Sequence, residues 1–173
     1  MKSFKNFYTR NNNLVELQNT SFKCPLITSN SYLYYNSITQ TQKDNFKWTS
    51  GGNWIDPQGP VIVNSISVWG FFNPFPSCNQ CIGLQSNSFI QQSMYLVSGQ
   101  YTISLYYHTR SGETGNPISK SINNALIDTT SSIAVSSLTF FSQTFTIPIS
   151  GTLILKLEGT LSTTTGIDNI IVV

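Results

Sequence analysis

The chain has 173 residues, a formal net charge of +2 and only 9% charged side chains, so its surface is uncharged and polar, supplied by Asn, Ser and Thr. Leu, Ile, Val, Phe and Tyr are plentiful, which excludes disorder, and a chain of this length buries roughly 70% of its unfolded surface, enough for one core without disulfide staples. The few Lys and Arg residues are scattered, which argues against a nucleic-acid partner held by phosphate neutralisation, and no run comes near the ~18 apolar residues that cross a bilayer.

Residues 1–13 form a mildly basic, Asn-rich arm with Lys2, Lys5 and Arg10; it lacks the continuous apolar stretch of a secretory signal, so no cleaved leader is expected. Residues 14–173 are expected to be one domain. Leu14 to Pro25 reads as an apolar opening β-type run and Gly166 to Val173 as an equally apolar closing strand, a pairing that commonly closes one sheet. From Asn36 to Gln80 the pattern is irregular. Gly51-Gly52, Pro57, Gly59-Pro60 and Pro74-Phe75-Pro76 punctuate short apolar pieces such as Val61-Ile62-Val63 and Ile66-Ser67-Val68-Trp69, so long loops are expected. Cys24, Cys78 and Cys81 are an odd set and make no disulfide framework. The spacing of Cys78 and Cys81 suits zinc or redox chemistry. A zinc ribbon wants a second pair, however, for which Cys24 and His108 are poor substitutes, and the flanks read as a loop entering a strand. Buried or loop thiols, with no metal and no cofactor, are expected.

Phe89 to Val97 reads as a strand, and after Gly99-Gln100 the clearest alternation follows. Tyr101, Ile103, Leu105 and Tyr107 fall on one face and Thr102, Ser104 and Tyr106 on the other, and the two strands are expected to form a hairpin. Arg110 to Pro117 is a loop by its turn residues. Ile118 to Ile122 resumes the two-residue period and Asn123-Asn124 ends it, but Lys120 interrupts the apolar face. Either its stem snorkels along the core edge or, the favoured reading, this is an edge strand charged against aggregation. Phe141 to Pro148 and Gly151 to Gly159 are two more strands, with Leu153, Leu155 and Leu157 inward and Lys156 and Glu158 outward. No repeat, heptad or amphipathic helix of three turns is visible. About eight short strands with turns between them predict an all-β fold, a two-sheet antiparallel jelly-roll β-sandwich.

Taken in order, these segments resemble the galactose-binding-like jelly-roll sandwich of many carbohydrate-binding modules and of a family of plant cell-wall proteins. The resemblance is carried by Asn19-Thr20-Ser21-Phe22-Lys23-Cys24-Pro25, Trp48, Gln80-Cys81-Ile82-Gly83-Leu84-Gln85, Ile90-Gln91-Gln92, Gly99 to Leu105 and Ile167-Asp168-Asn169-Ile170. It implies a structural calcium held near an acidic residue of the opening motif and the aspartate of the closing strand. The first of those positions is Lys23, which supplies no oxygen ligand. An ion pair of Lys23 with Asp168 is therefore expected in place of calcium, the alternative being that Lys23 points to solvent.

Catalysis has thin material. His108 is the single histidine, the seven acids are scattered, and no carboxylate pair suggests hydrolysis, so no enzymatic activity is expected. Sugar binding by aromatic rings, with amide or guanidinium groups on the hydroxyls, has candidates in Trp54, Trp69, Tyr106, His108 and Arg110. Trp48, and Trp69 with it, equally suit the core, and a histidine ending a strand is more often a surface or interface residue than a base. Phe71, Phe72 and Phe75 make an apolar loop better suited to a protein interface than to hydroxyls. The Asn, Ile, Tyr and Ser bias resembles proteins of AT-rich genomes, including large DNA viruses. The preferred expectation is a non-enzymatic virion or capsid-associated structural protein packing on other structural proteins through its arm and apolar loops. The alternative is an extracellular or cell-surface carbohydrate-binding module.

Overall fold

The computed structural model of the protein describes residues 17–28, 31–52, 59–64, 80–110, 112–130 and 137–173. Its strands, in chain order, are β1 (Tyr32–Tyr34), β2 (Thr49–Gly51), β3 (Val61–Asn64), β4 (Gln80–Gln85), β5 (Phe89–Leu96), β6 (Gly99–Thr109), β7 (Ile118–Ile122), β8 (Ala125–Thr129), β9 (Thr139–Ile147), β10 (Gly151–Gly159) and β11 (Thr164–Val172). They build a six-stranded sheet, ordered β1-β3-β4-β11-β6-β9, and a five-stranded sheet, ordered β2-β5-β10-β7-β8. All pairings are antiparallel, which is the expected jelly-roll sandwich.

The core follows from the alternation. Ile62, Ile82, Leu84, Ile103, Leu105 and Ile167 point in from the larger sheet and meet Ile90, Met94, Ile118, Leu155 and Leu157 of the smaller one. Phe22, Phe46 and Trp48 pack into the same core, with the Phe22 ring 6.0 and 6.1 Å from those of Phe46 and Trp48, so Trp48 is the core residue that the sequence suggests. Phe46 ends α1 (Gln40–Phe46), a helix too short to show an amphipathic period. Its one sequence signal is the Thr39/Gln42 capping box, in which Thr39 Oγ1 accepts from Gln42 N at 3.2 Å and Gln42 Oε1 accepts from Thr39 N at 2.8 Å.

Three expectations are corrected. Residues 17–28 contain no strand, because Asn19 and Phe22 have left-handed backbones, with φ of 50° and 51°, that no strand accommodates. The closing strand β11 instead lies between β4 and β6, and its Ile170 N donates to Thr20 O of the opening segment at 3.2 Å. Residues 89–97 and 99–107 are not a hairpin, since β5 belongs to the smaller sheet and β6 to the larger. A tight hairpin turn needs positive φ, which the Val97-Ser98 link lacks, so the chain arches over the core instead. The Asn123-Asn124 pair has it, with φ of 48° and 67°, and joins β7 to β8. That hairpin makes β8 the edge and places β7 in the sheet interior, so Lys120 does not mark an edge strand.

Candidate functional site

Two-residue periodicity on β6 turns Tyr106 and His108 to the outer face of the six-stranded sheet, away from the core. Pairing then decides their neighbours. Asp168 and Phe140 lie opposite Tyr106 on the two flanking strands, and Gly166 lies opposite His108. Further across the same face, Tyr32 and Tyr34 of β1 stand opposite Val63 and Val61 of β3, and Val63 stands opposite Cys81 of β4.

The middle of this face is closed. His108 and Asp168 are fully buried, and Val61, Val63 and Cys81 form a second small apolar cluster against which Tyr34 and Leu138 pack. Neither buried group presents a polar atom to solvent for acid–base work. Among the described residues no three His, Cys, Asp or Glu side chains converge as metal ligands.

Two rims stay open. At one, the rings of Tyr106 and Phe140 lie 5.1 Å apart, with Phe140 56% exposed and Ile171, opposite Ser104, also exposed. At the other, the Arg110 guanidinium lies 3.2 Å from Glu113 Oε1, while Glu113 Oε2 accepts from Thr164 N at 3.2 Å and Arg110 N donates to Thr164 O at 3.3 Å. The carboxylate thus fixes the guanidinium relative to the backbone. Burial raises the Tyr34 phenol above its ordinary range and Tyr32 adds to this. The positive charge of Arg110 opposes it, which puts Arg110 within electrostatic reach of the Tyr32–Tyr34 pair, whose rings meet edge to face at 5.5 Å.

Of the candidates named from sequence, Tyr106 and Arg110 therefore share one face, about 13 Å apart at the rise of a strand. His108, between them, is buried rather than at a surface. Trp54, Trp69, Phe71, Phe72, Phe75, Cys78 and residues 1–13 lie outside the described residues. The expected ion pair of Lys23 with Asp168 is not formed. Lys23 is exposed, Asp168 is buried on a sheet face, and the ion pairs among the described residues are Arg110–Glu113 and Lys156–Glu158. A solvated lysine keeps the hydration that pairing with a buried carboxylate would strip away. Sequence reasoning missed Phe140, Tyr32 and Tyr34. Each sits at an alternating position of a strand, but only the pairing brings it to this face.

Several of the motif residues that carry the resemblance tie the fold together. Gln80 Nε2 donates to Phe22 O and Pro25 O, at 2.7 and 3.0 Å, and its Oε1 accepts from Ile27 N at 2.8 Å. Asn19 Nδ2 donates to Cys24 O and Phe46 O, Gln92 bonds both backbone groups of Gln18, and Trp48 Nε1 donates to Gln18 O at 3.0 Å.

No protein-family model matches the sequence, and no curated protein sequence matches it. Solved structures do. The CBM22-1–GH10 modules of the Clostridium thermocellum endo-1,4-beta-D-xylanase 10B, complexed with xylohexaose, align with TM-score 0.56 at 12% identity, over 91% of this chain and 28% of that one. The CBM22-1 xylan-binding domain of Paenibacillus barcinonensis Xyn10C aligns with TM-score 0.52 at 10% identity, over 84% and 96%. TmCBM61 in complex with beta-1,4-galactotriose aligns with TM-score 0.51 at 12% identity, over 91% and 96%. At such identities the likeness establishes a shared jelly-roll fold.

Proposed function

We propose that this chain is a carbohydrate-binding module without catalysis of its own, acting outside the cell or at its surface, that takes an oligosaccharide on the outer face of the six-stranded sheet. The observation that carries the reading is that Tyr106 of β6 and Phe140 of β9 form a partly exposed aromatic pair, while just past the end of β6 the Arg110 guanidinium is fixed by the Glu113 carboxylate. Rings stack on the C–H faces of a sugar, and a guanidinium beside a carboxylate pairs donors and acceptors with adjacent hydroxyls. The distance between the two rims suits a chain of sugar rings better than a single one. The names of the structural neighbours, which speak of xylan, xylohexaose and galactotriose, support this reading. They do not favour the virion or capsid-associated component, whose expected contacts, residues 1–13 and Phe71, Phe72 and Phe75, lie outside the described residues.

Glycan-array binding followed by calorimetry with xylohexaose and β-1,4-galactotriose tests it. Tyr106→Ala and Phe140→Ala should each weaken binding by about three- to tenfold, the worth of one aromatic contact, and Arg110→Ala by about tenfold or more. A protein that binds no glycan on the array, or three variants that bind as the parent does, would remove the proposal.

A further inference from the structure

We propose that the free edge of β9 is a strand-addition site for a second copy of this chain, giving a two-fold dimer in which the six-stranded sheets of two protomers run on into one another. The inference does not depend on glycan binding.

Among the described residues the two sheets end in β1, β9, β2 and β8, and these edges differ. β1 and β2 are three residues long, and β8 is five residues long and carries Asp128. β9 is nine residues long, Thr139 to Ile147, with no charged residue and no proline along it. Edges left long and neutral are templates for another strand, and proteins that must stay monomeric interrupt them with Lys or Pro.

The direction of its free backbone groups follows from the ladder. Thr102 on β6 exchanges both backbone bonds with Val173, which continues β11, at 2.7 and 3.1 Å. Even-numbered residues of this part of β6 therefore face β11 and odd-numbered ones face β9. The β6–β9 register has no shift, pairing Tyr101 with Phe145, Ile103 with Gln143 and Leu105 with Phe141. It follows that Phe140, Ser142, Thr144 and Thr146 point their N–H and C=O groups outward. Only the Thr144 carbonyl takes a bond there among the described residues, from the amide of Gln143 at 3.2 Å.

The sequence of the strand says which partner fits. Phe141-Ser142-Gln143-Thr144-Phe145 reads almost the same in both directions, which is what an antiparallel two-fold through Gln143 requires. That register sets Ser142 opposite Thr144 and Phe140 opposite Thr146 of the other copy, each pair formed by two outward-pointing residues that can exchange both backbone bonds. Phe141 then falls opposite Phe145 at a non-hydrogen-bonded position, where side chains approach most closely and aromatic pairs contribute most. Both rings are half-buried at the open side of the sandwich, and the second copy would cover them.

Sedimentation across a dilution series reads the outcome. The wild-type chain should shift from a 19.2 kDa monomer towards twice that mass as concentration rises, with the weak affinity typical of small interfaces. Ser142→Lys with Thr144→Lys sets like charges opposite each other and should cost most of the dimer. Mixing that chain with one carrying Ser142→Glu and Thr144→Glu should restore it, and because both positions are exposed the thermal midpoint should not move. In a background carrying Cys24→Ser and Cys78→Ser, Gln143→Cys should form a covalent dimer on oxidation, since a non-hydrogen-bonded pair brings Cα atoms to about 4.5 Å, within disulfide reach, and the remaining Cys81 is buried. A wild-type monomer at every concentration overturns the proposal. So does a lysine variant that dimerises as before, or a dimer whose Gln143→Cys form fails to cross-link.

Discussion

Lys120 is the residue at which charge and burial conflict most. It points inward between Ile118 and Ile122, is fully buried, donates to Ile118 O at 3.0 Å, and holds its ammonium 3.6 Å from the centroid of the Phe141 ring. One carbonyl and one ring face replace a full hydration shell. Burial accordingly lowers its pKa to about 8, with Asp128, across the hairpin on β8, the charge that opposes the shift. A lysine whose folded pKa lies below its unfolded one releases its proton earlier when folded. Between pH about 8 and about 10.5 the unfolded chain thus binds more protons, and stability rises with pH across that window; below it the penalty is constant. The full recovery is on the order of 3 kcal/mol. Tyr34, Tyr35 and Tyr107, whose phenols burial raises, act with the opposite sign above about pH 10, so the window below that is the informative one. Urea unfolding should show a midpoint that climbs as pH rises from neutrality towards that limit. In Lys120→Met the midpoint should be higher at pH 7 and no longer climb. A wild-type midpoint that is flat with pH, or a methionine variant less stable than wild type, would contradict this reading.

At the scale of elements, the opening segment 17–28 is unusual in being held by side chains instead of a ladder. Gln80, from the first position of β4, satisfies two carbonyls and one N–H of that segment while 2% exposed. Truncating it strands buried backbone groups, each costing about 1–3 kcal/mol. Gln80→Ala should therefore destabilise the fold by roughly 3 kcal/mol, and also loosen Phe22 from the Phe46–Trp48 cluster, which near-UV circular dichroism would register. The Lys156–Glu158 pair, at 2.9 Å but partly exposed, sets the contrast: Glu158→Gln should cost no more than about 1 kcal/mol. Equal urea midpoints for the two variants would mean that Gln80 is replaceable by water. Period-two alternation made β6, β7 and β10 legible, because it reports which residues face a core. It is silent on which sheet a strand joins, so β5 and β6 read as a hairpin. Lys120 imitates an edge residue because a lysine on an apolar face is rarely fully buried. For the outer face, the alternation brought out Tyr106 and the loop start brought out Arg110. The burial of His108 and the arrival of Phe140 and Tyr34 depend on long-range pairing that no local pattern encodes.

For the molecule as a whole, the decisive fact is that β11, far along the sequence from its partners, is a central strand. β11 pairs with β4 on one side and β6 on the other, sends Ile167 and Ile170 into the core, and bulges after Asp168, where Asn169 has a φ of 53°. The apolar closing run Gly166 to Val173 was read correctly as a strand, β11 spanning Thr164–Val172, but it completes the sheet from within instead of pairing with the opening segment. Without it the larger sheet falls into two parts, β1-β3-β4 and β6-β9, each with a bare edge, and the inward side chains of both lose the layer that joins them. Pairings of such long sequence separation form slowly, and the larger sheet is joined only when β11 is in place. A chain ending at Gly159 should therefore show no cooperative unfolding transition and should bind a hydrophobic dye, whereas loss of Val173 alone removes only its two bonds to Thr102 and should lower the midpoint slightly. If the chain ending at Gly159 still unfolds cooperatively with a near-UV spectrum like that of the full protein, β4 and β6 can close on each other. The closing strand would then be an addition to the sandwich instead of its keystone.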